Sequence, residues 1–253
     1  MHIEDKLTLK IGTYNIHHGS VDGRYCNAIG NLLQEHDLDI IGVQEIDLFI
    51  KRSGNINVLK EIALAGNYPY YEFYKTIDYQ GGDYGIGIIS KYPITTKSIM
   101  SLSHCSEPRV VAHSSINLNN YKLNFLVTHF DLGDYKKVRY FQFNELKNML
   151  KPLKSFIITG DFNVQNWLEK GNIFEFDNHF QNLNIANNPN NPFLTYSGTE
   201  NVGDGISPID NILTSPDIEI TNTYMVDTYY SDHDLLISEI IIRYWFCLIF
   251  YIN

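Results

Sequence analysis

The chain has 253 residues, a formal net charge of -10, 44% hydrophobic and 19% charged residues. This balance excludes a disordered chain and suits a soluble globular protein of one large α/β unit or two small ones. Its basic residues form nothing larger than pairs such as Lys51-Arg52 and Lys136-Lys137, which argues against tight duplex binding through a basic patch. It leaves room for an anionic substrate whose charge is met by a bound divalent cation.

In chain order, short apolar runs rich in β-branched residues predict strands over Leu7–Ile16, Leu38–Val43, Gly85–Ser90, Val110–Leu118 and Leu123–Thr128. Further strands are expected over Phe156–Thr159, Ile209–Leu213 and Leu235–Ile242. Helical patterns cover Arg24–Glu35, Ile56–Ala65 and Tyr135–Leu150, the last with Val138, Phe141, Leu146 and Met149. Asn182–Gly205, rich in Asn, Pro, Gly and Thr, reads as a long loop. Strands outnumber helices and do not alternate with them. The expectation is therefore an α+β fold of two packed sheets with helices outside, not a doubly wound parallel sheet.

The three cysteines, Cys26, Cys105 and Cys247, lack metal-ligand spacing and read as free thiols of a reducing compartment. The first residues contain no apolar signal-peptide core, so a cytoplasmic location is expected. The apolar run Tyr244–Ile252 is shorter than the about 20 residues of a membrane span. It is read as a final strand and docked tail. No transmembrane span and no protein partner are inferred.

Polar residues close apolar strands at six places. Asn15 ends the first, where it also has the chemistry of a turn cap. Glu45 ends the run Ile40-Ile41-Gly42-Val43, and a carboxylate there suits either the surface or a magnesium ion, which takes oxygen ligands. His129 follows Phe125-Leu126-Val127-Thr128. Phe156-Ile157-Ile158-Thr159 leads into Gly160-Asp161-Phe162-Asn163, where Asp161 and Asn163, two apart on extended chain, can face the same way and hold a water. Asp210 interrupts an apolar strand, as does a carboxylate that orients a histidine. Asp232-His233 opens another strand with a metal or phosphate contact beside a general base.

This ordered set, Tyr14-Asn15, Gln44-Glu45, Thr128-His129, Gly160-Asp161-Phe162-Asn163, Ile209-Asp210 and Ser231-Asp232-His233, resembles the endonuclease/exonuclease/phosphatase superfamily from about Leu9 to Ile242. Gly85-Ile86-Gly87-Ile88-Ile89-Ser90 is similar to its glycine-containing core strand, and Glu107-Pro108-Arg109 to an acid–x–Arg strand entry of small bacterial members. Arg139 and Gln142 fall on the helix after the histidine strand, as they do in that family. The resemblance implies a four-layer αββα sandwich of two packed, mostly antiparallel sheets flanked by helices. It implies a single domain over residues 1–243, leaving 244–253 as a short apolar tail.

The resemblance further implies a metal-dependent phosphate-ester hydrolase, with a phosphodiester the first choice of substrate. Water would attack phosphorus in line, with Mg²⁺ as cofactor and Mn²⁺ as a substitute. Glu45 would ligate the metal with Asn15 close by and Asp232 at a second position. Asp161 would accept or orient the water's proton, Asn163 would position the water, and His129 and His233 would donate to the phosphate. Which histidine moves a proton stays open. Asp210 would fix the tautomer of one of them. Arg109 and His18 are the substrate-contact candidates, Arg109 having a structural ion pair with Glu107 as its alternative. The substrate class spans small, lipid-linked and nucleic-acid phosphate esters. The neighbours Ile209 and Asn211 depart from the Cys-Asp-Arg of the inositol phosphatase branch, and the chain lacks the basic loops of the abasic-site endonucleases. The sphingomyelinase branch stays open, with Tyr70, Tyr71, Phe73, Tyr74 and Tyr79 either an apolar or stacking surface or simply strand residues. A nuclease is the second reading, and a catalytically silent binding domain the third.

Overall fold

The computed structural model describes residues 2–132, 136–164, 183–197 and 207–247. The expected position Tyr135, parts of the long loop (182 and 198–205) and residues 248–253 lie outside these. Two six-stranded sheets form the body. The first runs β11(Ile218–Val226)-β12(Leu235–Cys247)-β1(His2–Asn15)-β2(Ile40–Leu48)-β4(Gly82–Ser90)-β3(Tyr70–Tyr79). The second runs β5(Ile94–Leu102)-β6(Arg109–Leu118)-β7(Tyr121–His129)-β8(Phe156–Asp161)-β10(Asp210–Thr214)-β9(Asn184–Ile185). Among the described residues only β1–β2 and β7–β8 pair in parallel, and the remaining pairs are antiparallel.

Side-chain alternation explains the layers. On β7, Leu123, Phe125 and Val127 point into the core between the sheets, where Leu9, Ile40, Ile88, Ala112, Ile157, Ile212 and Ile240 meet them. The opposite faces bury a second set. Ile41, Val43 and Ile237 pack against α1(Cys26–Glu35) and α2(Val58–Ala65) through Ile29, Leu33, Leu59 and Ile62. Leu126, Ile158 and Leu213 pack against α3(Lys136–Leu150) through Phe143, Leu146 and Leu150. The result is the expected αββα order. The α2 helix starts with an Asn57 cap whose side-chain oxygen accepts the Lys60 N–H at 3.0 Å.

The sheets approach closely behind the polar strand ends, at Gly42 and Thr159. A Cβ on Gly42 of β2 would lie 1.8 Å from Thr159 Oγ1 of β8, so only glycine fits there. That contact brings the C-terminal ends of β1 and β2 beside those of β7 and β8, all at one end of the sandwich. Among the described residues no helix is long and apolar enough to cross a membrane. Tyr244–Cys247 continue β12, whose pairing with β1 extends to His2↔Cys247.

Candidate active site

Asn15, the last residue of β1, is fully buried and bridges the two sheets. Its Nδ2 donates to Glu45 Oε1 at 3.0 Å and to Asp161 Oδ2 at 3.1 Å, while its Oδ1 accepts the His17 N–H at 3.2 Å. Glu45 reaches this position through a bulge. The pairing of β2 with β4 slips between Val43 and Ile46, and Glu45 takes a left-handed φ of 58°. A bulge turns a side chain out of the strand's alternation, here out of the core and into the cleft. A positive φ on a non-glycine residue is conformational strain of the sort that functional sites hold. Asn163, φ 52°, has the same conformation just past β8. There its N–H donates to Asp161 Oδ1 at 2.9 Å and its Nδ2 to the Phe130 carbonyl at 2.8 Å.

Asp161 is the hub. It is 2% exposed, and His129 Nε2 and His233 Nε2 lie 3.4 and 3.7 Å from its Oδ2. Burial, followed by the neighbouring Asp210 carboxylate, pushes its pKa up to about 7 despite the opposing pull of His233 and the donors Asn163 and Asn15. His233 Nδ1 donates to Asp210 Oδ2 at 2.7 Å. Burial works against charge on this imidazole, but the carboxylates of Asp210, Asp161 and Asp232, Asp210 foremost, together outweigh it and raise the pKa to about 10. His129 has no such partner. Burial first, then the positive Arg109 and His233, hold it well below the ordinary histidine range. At neutral pH the two histidines therefore differ: His233 is the proton-carrying ring and His129 the neutral one.

These groups open onto a cleft of about 450 Å³ lined by Glu45, His129, Arg139, Asp161, Asn163, Tyr196, Asp232 and His233, among others. Asp232 lies at its wall with Oδ1 3.8 Å from His17 Nδ1. Ser231 locks this strand end to the first: its hydroxyl donates to the Asn15 carbonyl at 2.8 Å and accepts the His233 N–H at 3.2 Å. Glu45 and Asp232 offer oxygen donors, the type magnesium prefers, and Asn15 holds the Glu45 carboxylate in place. The donor chemistry thus fits a hard divalent cation. Asp161, Asp210 and His233 also offer atoms within 4.8 Å of one another, but His233 Nδ1 is already engaged by Asp210.

A model of the Endonuclease/Exonuclease/phosphatase family matches residues 12–233. The chain belongs to that family. Its members are divalent-metal-dependent hydrolases of phosphate esters, which is the chemistry this cleft suits. A family member from Bacteroides thetaiotaomicron superposes with a TM-score of 0.72 at 20% identity, covering 94% of this chain and 99% of that one. TDP2 from C. elegans gives 0.70 at 14% over 92% of this chain and 75% of that one. A mannosyl-6-phosphatase from Bacteroides thetaiotaomicron gives 0.63 at 20% over 92% and 99%. A search of curated proteins returned no match.

Neither of the two substrate-contact candidates is among the residues lining the cleft. Arg109 is 4% exposed and pairs with Glu107 Oε1 at 2.9 Å, with its Nε buried and without a hydrogen bond. His18 lines a separate hollow beside Glu45. Sequence reasoning did not single out Tyr196, whose ring centroid is 5.0 Å from that of His233, or Ser207, since both sit in or beside the loop read only by composition. Arg139 reaches the cleft from α3, donating from Nη1 to the carbonyls of Asp131 and Leu132 at 3.2 and 3.4 Å. The family resemblance had placed it, with Gln142, on the helix after the histidine strand.

Proposed function

We propose that this chain is a Mg²⁺-dependent phosphodiesterase that cleaves its ester by in-line attack of water, with Mn²⁺ as an effective substitute. The supporting observation is the meeting of Glu45, Asp161, His129 and His233 in one cleft with their protonation states set apart by environment. A carboxyl poised near 7 is suited to accept a proton at neutral pH, because general-base efficiency peaks when the pKa is near the working pH.

Glu45 holds the metal, with Asp232 at the wall available to a second position. When bound, the metal neutralises charge on the phosphate and polarises a phosphate oxygen. Asp161 takes the proton of the attacking water, which Asn163 and Asn15 help to orient through their bonds to that carboxylate. His233, kept protonated by Asp210, donates to the phosphate or the departing oxygen, and neutral His129 donates a hydrogen bond from the other side of Asp161. Arg139 contributes positive charge at the cleft wall. The free thiols of Cys26 and Cys105 support the reducing cytoplasm as the proposed location.

Hydrolysis of bis-p-nitrophenyl phosphate and p-nitrophenyl phosphate, each with Mg²⁺, Mn²⁺ and EDTA, tests the reading. Diester cleavage stopped by EDTA supports it. Monoester cleavage alone makes the protein a phosphatase. Cleavage of plasmid DNA well above the chromogenic diester makes it a nuclease, and no turnover together with no Mn²⁺ binding makes it a silent domain.

A further inference from the structure

The cleft and the hollow beside it meet at Glu45, which lines both. His17 stands on the hollow side and Asp232 on the cleft side. Their facing atoms, His17 Nδ1 and Asp232 Oδ1, are 3.8 Å apart. We propose that His17 Nδ1 is a further ligand of the cation held by Glu45 and Asp232, which makes this a mixed nitrogen–oxygen site that prefers a borderline transition metal, with Mg²⁺ the weaker occupant. The proposal rests on the reading of Glu45 and Asp232 as metal-holding residues and deepens it by naming the class of ion.

The separation of the two atoms is the first argument. A hydrogen bond ends well short of 3.8 Å, so these side chains do not hold one another directly. Two ligand atoms that share one ion, each about 2.1 Å from it, stand roughly 3.0 Å apart at a right angle and about 4.2 Å apart when opposite. The observed distance lies inside that span. Neither side chain is sealed off: His17 is 49% exposed and Asp232 19%, so an ion can reach both.

Charge points the same way. Fully buried Asp47 takes Arg52 through Nε at 2.7 Å and Nη2 at 2.8 Å. Glu107 takes Arg109 Nη1 at 2.9 Å. Among the described residues Glu45 is met by no cation, only by the neutral Asn15 amide at 3.0 Å. Its charge is therefore the unmet one of the hollow, at the edge shared with the cleft, and a cation there gains the attraction that Arg52 and Arg109 give to the other two carboxylates.

His17 is placed with little freedom. Its N–H donates at 3.2 Å to Oδ1 of Asn15, the residue whose amide also holds Glu45. Its ring leans on the His18 ring, centroids 4.6 Å apart. Its backbone is left-handed, with φ 42°, a costly conformation for a residue other than glycine that a ligand role accounts for. The ring then sets the choice of ion. Magnesium takes oxygen ligands, whereas an imidazole nitrogen suits manganese, iron, cobalt and zinc.

The test uses Mn²⁺ as the probe on the full chain. Pulsed electron paramagnetic resonance of the Mn²⁺-loaded protein should show coupling to an imidazole nitrogen, and His17→Asn should lose it. Asparagine tolerates left-handed backbone, and a thermal melt in EDTA checks that the variant folds; His17→Gly, at ease at this φ, is the second variant. Calorimetric titration should show Mn²⁺ binding weakened about tenfold or more in either variant and Mg²⁺ binding weakened far less. A wild-type spectrum without nitrogen coupling overturns the proposal whatever the variants do, and leaves an oxygen-only site at Glu45 and Asp232. Coupling that survives in His17→Asn also overturns it and moves the ion to His233. Equal weakening of Mn²⁺ and Mg²⁺ binding overturns it too, making His17 a structural residue. If Mn²⁺ does not bind, the metal reading fails and the proposal with it. None of these measurements needs turnover, so an absence of hydrolysis counts against the phosphodiesterase reading alone.

Discussion

Asp161 and Asp210 stand directly opposite one another on the antiparallel strands β8 and β10, two buried carboxylates in register with one histidine between them. Like charges so placed cannot both ionise freely. The outcome is a division: Asp210 gives its charge to His233 at 2.7 Å, and Asp161 is left with a pKa near 7.

That division predicts a conflict between stability and activity at Asp161. Its folded pKa of about 7 lies above the ordinary carboxylate value of 3.8, so the folded chain binds the extra proton and stability falls as pH rises through that window. Asp161→Asn, a neutral isostere, should therefore stabilise the metal-free protein above pH 7 by roughly 2–4 kcal/mol, at about 1.36 kcal/mol per unit. It should have little effect near pH 4, and it should lower kcat by about 10²–10⁴. Thermal melts in EDTA at pH 4.5 and 8.5 check the first part, and an Asn variant no more stable at the higher pH would contradict it.

The opposite sign holds at Asp210. His233, raised to about 10 from 6.5, contributes stability that is fully present below 6.5 and is lost as pH climbs through 10. Asp210→Asn removes the foremost of the carboxylates that override burial, so the His233 pKa should fall from about 10. The variant should be less stable than wild type at pH 6 and converge with it above pH 10. Activity should drop by about 10²–10⁴, since the ring loses both its charge and its fixed tautomer. Histidine NMR titration reads the pKa directly.

Glu45→Gln keeps an oxygen for Asn15 Nδ2 and keeps the bulge, so its melting should stay within about 0.5 kcal/mol of wild type in EDTA. It removes the carboxylate charge offered to the metal. Calorimetric titration with Mn²⁺ should show binding weakened about tenfold or more; unchanged binding would move the metal to the Asp161, Asp210 and His233 cluster.

Arg52→Met leaves Asp47 buried beside Ser53 without its cation. Stability should fall by about 3 kcal/mol, as when one partner of a buried pair is removed. Adding Asp47→Asn should recover most of the loss, which a double-mutant denaturant series measures.

The elements that the sequence shows clearly are those buried on both faces. Phe156–Asp161, buried at every position, leaves a continuous apolar run that one reading suffices to find. The strands β5 and β11 were not legible, because they are sheet edges. Ile94-Thr95-Thr96-Lys97-Ser98 and Glu219-Ile220-Thr221-Asn222 face water for much of their length, and nothing forces an apolar pattern on them. The two-residue β9 is too short to have a pattern. Tyr70–Tyr79, an aromatic stretch open to two readings, divides its work: Tyr74 is a core residue bonded to Ser114, while Tyr79 faces the hollow.

The sequence by itself determined that Asn15, Glu45, His129, Asp161, Asp210 and His233 each follow, interrupt or precede an apolar strand run, where an unpartnered polar group is costly. It determined the layer order too, since alternation on a strand and periodicity on a helix are local. The protonation states, the bond across the sheets from Asn15 to Asp161 and the pairing of Arg109 with Glu107 were decided only by the tertiary structure. They depend on distances between residues as far apart as 15 and 161 and on the water that packing removes, and neither quantity is written in any local run of residues.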